Sequence, residues 1–358
     1  MRPSTSLTAR LVAVLAVLGL VLTACGGGSS SSKDDGDSGY DYASLTGTLN
    51  GSGATFPKAF YEEAIAGFSQ VASDVTVNYN AVGSGQGKKD LAAATSDWAG
   101  TDSLVSDADK ATFKGPFLYF PTVAAPITVS YTLAGVTKLN LSPATLGKIF
   151  SGKVTIWNDA AIAADNPGVT LPNTGITVVV RSDGSGTTSN FSKYLAAAAP
   201  EAFTLTPGDT VSWPGFQAGK GNTGVAQLVK ATNGAIGYVD YSDAKASNLT
   251  FASIGNKDGK FVQPSLEGAS AALAGATINP DLTYSALNAP GADAYPITAG
   301  TYIIVYSTIS DAKKAAAIRG WLNYVLTSGQ SLAPDADFAP LPTTLRDRAI
   351  AQIASIKG

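Results

Sequence analysis

The stretch RSDGSGTT, which begins at Arg181, combines one guanidinium, one carboxylate, two glycines and four hydroxyls within eight residues. It follows the apolar run ITVVV and precedes SNFSKYLAAAA, so it reads as a turn from a strand into a helix. Two other stretches share this character: GSGATFP from Gly51 and GSGQGK from Gly83. The first turn of a helix leaves backbone N–H groups unpaired and carries the positive end of the helix dipole. Glycines that let an oxygen approach the backbone, with hydroxyl donors beside them, therefore suit an oxyanion. A single such turn is equally well read as ordinary turn and N-cap chemistry. Three of them, one carrying an arginine, point to a shared anionic ligand.

Individual charges in these segments have two readings each. Arg181 at a strand end reads as a solvated surface residue, or as a guanidinium held by Asp183 across the turn with its remaining donors free for a ligand. Asp102, in TSDWAGTDSLVSDAD, reads as an N-cap for a helix starting near Ser106 or as a carboxylate facing a cleft. Familiar nucleotide motifs do not fit. Gly83 to Gly87 encloses three residues where a Walker loop needs four, and the GxGxxG spacing fails at both Phe56 and Gly87. A nucleophile elbow around Ser185 would need glycine in place of Asp183. The chain contains no histidine, which removes the Ser-His-Asp triad and the usual imidazole ligands of catalytic zinc.

The elements that must position these turns follow an α/β pattern. Short β-branched runs (VTVNYNAV, ITVVV, GAIGYVDY) alternate with alanine-rich helical stretches (KKDLAAAT, SNFSKYLAAAA, DAKAS). Segment 57–70 predicts a helix with Pro57 at its first position and Phe60, Ala64, Ile65 and Phe68 on one face. Two proline-containing segments, FPTVAAPITVSY near 120 and GADAYPITAGTYIIVY near 300, suit connectors that cross between two lobes. A helix is expected from about Asp311.

At 358 residues, with 45% hydrophobic and 14% charged residues, the chain is long enough for two globular domains. Its net charge of -3 and scattered lysines give no footprint for nucleic acid. The N-terminus has Arg2 and Arg10, an apolar run too short to span a bilayer comfortably, and then LTAC ending at the only cysteine, Cys25. Residues 1–24 are therefore expected to be a signal peptide. LTAC followed by glycine resembles a bacterial lipobox, which would leave Cys25 lipidated; residues 25–42, rich in Gly, Ser and Asp, would form a flexible tether.

Taken in order, LTGTLNGSGATFP, VNYNAVGSGQG, WAGTDSLV, LGKIFSGKVTIWND, VVVRSDGSGTTSNF, VSWPGFQAGKGNTGVAQLV and AYPITAGTYIIV resemble the phosphate-binding protein of the high-affinity phosphate ABC transporter. The resemblance covers essentially everything after the tether. It implies a two-lobed periplasmic-binding-protein fold of type II, each lobe a mixed sheet flanked by helices, with the ligand in the cleft. Lobe I would comprise 43–121 plus 299–358, and lobe II 122–298. It further implies that Thr55, Phe56, Ser84, Asp102, Arg181, Ser185, Gly186 and Thr187 contact phosphate, with Asp183 holding Arg181. Ser84 is followed by Gly85 where related sequences commonly have serine, so a side-chain contact from that position is missing.

The implied function is capture of inorganic phosphate by a monomeric lipoprotein on the outer face of the cytoplasmic membrane, with delivery to ABC permease subunits. No cofactor, metal or catalysis is expected. The alternatives are another oxyanion, sulfate or molybdate, or a phosphate-ester hydrolase. Phosphate keeps a proton at neutral pH and sulfate does not, so a buried acceptor at Asp102 would reject sulfate.

Overall fold

Three parallel strands begin the fold and end at one edge. The computed structural model describes residues 39–358, and the signal-peptide and Cys25 readings lie outside the described residues. Strand β1 (Gly47–Gly53), α1 (Lys58–Val71), β2 (Val75–Ala81), α2 (Ser84–Ala93) and β3 (Trp98–Thr101) come first. A short α3 (Asp107–Lys110) leads into the long β4 (Phe117–Thr132). Next are β5 (Asn140–Leu141), α4 (Pro143–Phe150), α5 (Ala160–Asp165), β6 (Thr177–Arg181) and α6 (Gly186–Ala198). They are followed by β7 (Gln217–Gly219), α7 (Gly221–Ala231), β8 (Ala235–Asp240), α8 (Tyr241–Ala246), β9 (Thr250–Phe251), β10 (Ser253–Gly255) and β11 (Phe261–Val262). The chain closes with α9 (Leu266–Ala274), β12 (Thr298–Tyr306), α10 (Ala312–Leu326) and α11 (Thr343–Gln352).

The main strand order is β2-β1-β3-β12-β4-β8-β6-β7, with β9 also on β4. Gly53 of β1 pairs with Ala81 of β2 and Gly100 of β3, so the turns after all three strands emerge together. On the other side of β4, Arg181 of β6 pairs in parallel with Gly219 of β7, and β6 also runs parallel to β8. Ligands of open α/β sheets collect beyond such carboxyl ends.

The segment expected to be a connector near 120 is instead one continuous buried strand. The first part of β4 pairs with β12 as far as Pro126 and Thr298; from Ile127 it pairs with β8. Proline lacks an N–H and is tolerated where a ladder is interrupted. Pro126 sits at the change of partner, and Pro121 faces Tyr302 beside a register shift in β12.

The helices form largely where their periodicity places them. The α1 helix buries Phe60, Tyr61, Ala64 and Phe68, with Pro57 as its N-cap and Ile65 only half-buried. Around it, Trp98 stacks on Tyr79 at 4.9 Å and meets Tyr61 edge-on at 5.5 Å. Burial of a large aromatic of this kind makes Trp98→Ala cost about 3–5 kcal/mol. The α2 helix begins earlier than expected, at Ser84, so Gly83 of GSGQGK is its N-cap and Gly85 and Gly87 lie in its first turn. Gly87 lies so close to β1 that a Cβ there would stand 2.4 Å from Gly53 Cα.

Candidate functional site

Strand ends deliver the site residues from both sides of β4. Thr55 and Phe56 follow β1, Ser84 opens α2 after β2, and Asp102 follows β3. Arg181 ends β6, Ser185 caps α6, and Gly186 and Thr187 form its first turn. The Ser185 hydroxyl accepts from Thr188 N–H at 3.1 Å, an N-cap that keeps its own proton available. The amides of Gly186 and Thr187 fall among those that an α-helix leaves without intrahelical partners.

These residues meet in one buried cluster. Ser84, Ser185, Thr187 and Phe56 are fully buried; Asp102 and Arg181 nearly so. The Phe56 ring packs against Phe338 at 5.8 Å, so a contact with the ligand from this residue would have to come from its backbone. The Arg181 guanidinium lies against Thr187, its Nη1 donating to Oγ1 at 3.4 Å. Gly186 abuts Ser84 and Asp102: a Cβ at Gly186 would stand 2.5 Å from Ser84 Oγ and 2.7 Å from Asp102 Cβ. Two cavities of about 410 and 510 Å³ flank the cluster; Thr55 lines the first and Asp183 lines both.

Arg181 is held as the turn chemistry suggests. Its Nε donates to Asp183 Oδ1 at 2.8 Å and its Nη2 to Oδ2 at 2.5 Å. Asp183 Oδ1 also accepts from Gly221 N–H at 3.0 Å. Burial opposes the charge of Asp183, but the hydrogen bonds and charge of Arg181, with the Gly221 amide, outweigh it and hold the carboxyl below its ordinary range. This fork fixes the guanidinium plane and leaves Nη1 directed at Thr187.

Asp102 does not cap the following helix; Ser106 does, accepting from Asp109 N–H. Thr301 of β12 donates to Asp102 Oδ1 at 2.7 Å, and Ser84 Oγ stands 3.3 Å from Oδ2. Burial pushes the carboxyl up from 3.8 to about 7, against the Thr301 hydrogen bond, the Arg181 charge and the Ser84 hydrogen bond, with Asp209 adding to the rise. Across the cluster, Asn190 Nδ2 donates to Asp102 O at 2.6 Å and Gly186 O at 2.9 Å. Gly85 N–H donates to Gly184 O at 3.0 Å.

Besides Asn190, two residues in this cluster escape the sequence reading. Thr301 is one, and nothing in its local pattern marks it. The other is Asn222, whose Nδ2 lies 3.0 Å from Thr55 Oγ1 and 3.3 Å from Thr187 Oγ1. A signal for it exists: AGKGNTG at 218–224 is a fourth glycine and hydroxyl turn from strand to helix. The cluster thus presents backbone amides, hydroxyls and one guanidinium, with a single carboxylate as acceptor. Such a set suits a tetrahedral oxyanion bearing a proton. Among the described residues, no group of three or more His, Cys, Asp or Glu is placed to hold a metal ion, and no helix is long and apolar enough to cross a membrane.

Known proteins resemble the chain in sequence and in fold. The PBP superfamily domain matches residues 38–328. The phosphate-binding protein PstS of Xylella fastidiosa is 36% identical over 302 residues, covering 83% of this chain and 82% of its own. PstS 2 of Mycobacterium tuberculosis is 34% identical over 360 residues, covering 96% of this chain and 97% of its own. Among solved structures, the high-affinity periplasmic phosphate-binding protein PfluDING bound with phosphate superposes with a TM-score of 0.72 at 23% identity, covering 86% of this chain and 94% of its own. The phosphate-binding protein of Stenotrophomonas maltophilia gives 0.69 at 22%, with 86% and 94% covered. The likeness to these two structures is one of fold. From the superfamily match and the sequence relatives together, the chain belongs to the PBP superfamily and, within it, to the PstS family of phosphate-binding proteins.

Proposed function

We propose that this chain captures inorganic phosphate outside the cytoplasm and hands it to the permease subunits of an ABC transporter. The observation that carries the reading is the convergence of Ser84, Arg181, Gly186 and Thr187 on one buried cluster whose carboxylate is Asp102, with Thr55 joined to it through Asn222 and Ser185 capping the helix that enters it. The guanidinium and helix-terminal amides neutralise the anion locally, which an acidic chain with net charge -3 requires. Asp102 accepts the proton of the ligand and rejects sulfate, whose oxygens are all acceptors.

We further read 43–121 plus 299–358 as lobe I and 122–298 as lobe II. The change of partner within β4 at Pro126 supports a crossing near this boundary. On this division, Asn190 to Asp102, Gly85 to Gly184 and Asn222 to Thr55 are contacts across the cleft, as expected of a closed state. The protein binds and does not catalyse: no histidine is present to activate Ser185, whose hydroxyl caps α6. Lipidation at Cys25 would tether a monomer to the outer face of the membrane.

Calorimetric titration of ligand-stripped protein tests the reading. Phosphate is expected to bind with Kd at or below about 1 µM, and sulfate at least about 100-fold more weakly. Equal affinity for the two anions, or turnover of a chromogenic phosphate ester, would overturn it.

A further inference from the structure

Asn222, the second residue of α7, is completely buried. Its Nδ2 donates to Thr55 Oγ1 at 3.0 Å and its backbone N–H to the same oxygen at 3.3 Å. The Nδ2 also lies 3.3 Å from Thr187 Oγ1, which takes a second donor from Arg181 Nη1 at 3.4 Å. The longer separations are at the outer limit for such bonds. Their polarity is nonetheless uniform: every nitrogen facing these two oxygens is a donor.

A hydroxyl has two acceptor lone pairs and one proton. With N–H groups directed at both lone pairs, each threonine has only its proton left to offer. The amide cannot turn over without loss, because Asn222 Oδ1 accepts the Asp240 N–H at 3.3 Å. A flipped amide would place its NH2 against that N–H and its carbonyl oxygen against the two hydroxyls, which would then donate to the protein and not to a ligand.

We propose that Asn222 is a positioning residue that sets the polarity of Thr55 and Thr187, making both hydroxyls obligate donors to bare oxygens of the bound anion. The inference rests on the phosphate-binding reading and adds a specificity rule to it. Oxygens facing the threonines must be unprotonated, so the single proton of the ligand is directed to Asp102. The preferred guest is then a tetrahedral oxyanion that presents bare oxygens to both threonines and its proton to Asp102.

The test is a double-mutant cycle in the full chain, read by calorimetric titration with inorganic phosphate. Asn222→Ala should weaken binding by about 10- to 100-fold, the effect expected of losing hydrogen bonds to a charged ligand. In a Thr55→Val, Thr187→Val background the same change should cost less than about threefold, because the hydroxyls it orients are gone. Asn222→Asp preserves shape but offers acceptors to both hydroxyls, and should bind phosphate more weakly than Asn222→Ala. Thermal unfolding of each ligand-free variant separates these losses from misfolding. An Asn222→Ala protein within about twofold of wild type, an equal cost in both backgrounds, or an Asn222→Asp protein that binds like wild type would overturn the inference. If the wild-type chain itself failed to bind phosphate, the proposed function would fall first.

Discussion

Lys88 Nζ stands 2.8 Å from Asp209 Oδ2 although 121 residues separate them. The lysine side chain is 8% exposed and the aspartate 23%. Lys88 also donates to Ser103 Oγ at 2.9 Å and Leu104 O at 3.3 Å, while Asp209 O accepts the Ser185 N–H at 2.9 Å. The pair therefore ties α2 and the Asp102 loop to the segment that positions the α6 cap.

Asp209→Asn would leave the ammonium with neutral partners in a mostly buried setting. The cost should be about 1–3 kcal/mol, below the figure for a fully buried pair because Asp209 keeps some access to water. Denaturant unfolding measures this, and an unchanged midpoint would show that the pair contributes nothing.

Asp102 gives a pH dependence of unusual sign. Burial lifts its carboxyl to about 7, above its ordinary 3.8, so the ligand-free folded protein holds this proton more tightly than the unfolded chain. The penalty is absent below about pH 4 and grows as pH rises toward 7, reaching on the order of 2–4 kcal/mol. Asp102→Asn is therefore expected to stabilise the ligand-free protein above pH 7 and to have little effect at pH 4, in thermal melts across that range. The same variant should lose discrimination against sulfate. Melting curves that stay parallel to wild type at every pH would refute the assignment.

Arg181 and Asp183 separate by magnitude. Arg181→Met removes the only guanidinium of the cluster and should weaken phosphate binding by more than about 100-fold. Asp183→Asn keeps the charge and loses its clamp, so affinity should fall by less than about tenfold. Asp183 is held below its ordinary value, so its stabilisation is present at neutral pH and lost as pH falls through that lowered value. Wild type should accordingly lose stability below about pH 4 more steeply than Asp183→Asn. Acid titration followed by circular dichroism decides this.

Gly186→Ala probes closure. On the closed-state reading, the added methyl would meet Ser84 Oγ and Asp102 across the cleft, and opening the cleft would relieve it. Phosphate affinity should fall by at least about tenfold, while the unfolding midpoint of the ligand-free protein moves by less than about 1 kcal/mol in stability terms. A comparable loss in both measurements would mean that the clash persists without ligand.

What the sequence discloses about this site is its local chemistry. The Arg181–Asp183 fork spans two residues and the Ser185 cap three, and both are readable from RSDGSGTT. The strand-to-helix alternation is likewise legible in short windows. Asn222 and Thr55 lie 167 residues apart, and Asp102 and Thr301 lie 199 apart. Such pairs depend on strand order, which periodicity does not encode. The continuity of β4 was hidden for another reason: its prolines are turn signals locally, and only the partner change at Pro126 makes them compatible with a strand.

The position of β12 has a consequence for how the molecule comes into being. It lies between β3 and β4 in the sheet, yet it is contributed by residues 298–306. While the chain is being made, β1, β2 and β3 can gather early, but β3 presents a bare margin until a late arrival fills the gap. The stretch holding β6, β7 and β8, residues 177–240, faces no such wait. The first-born part of the protein is thus the last to be finished, and in that interval it is most open to pairing with a neighbouring nascent chain.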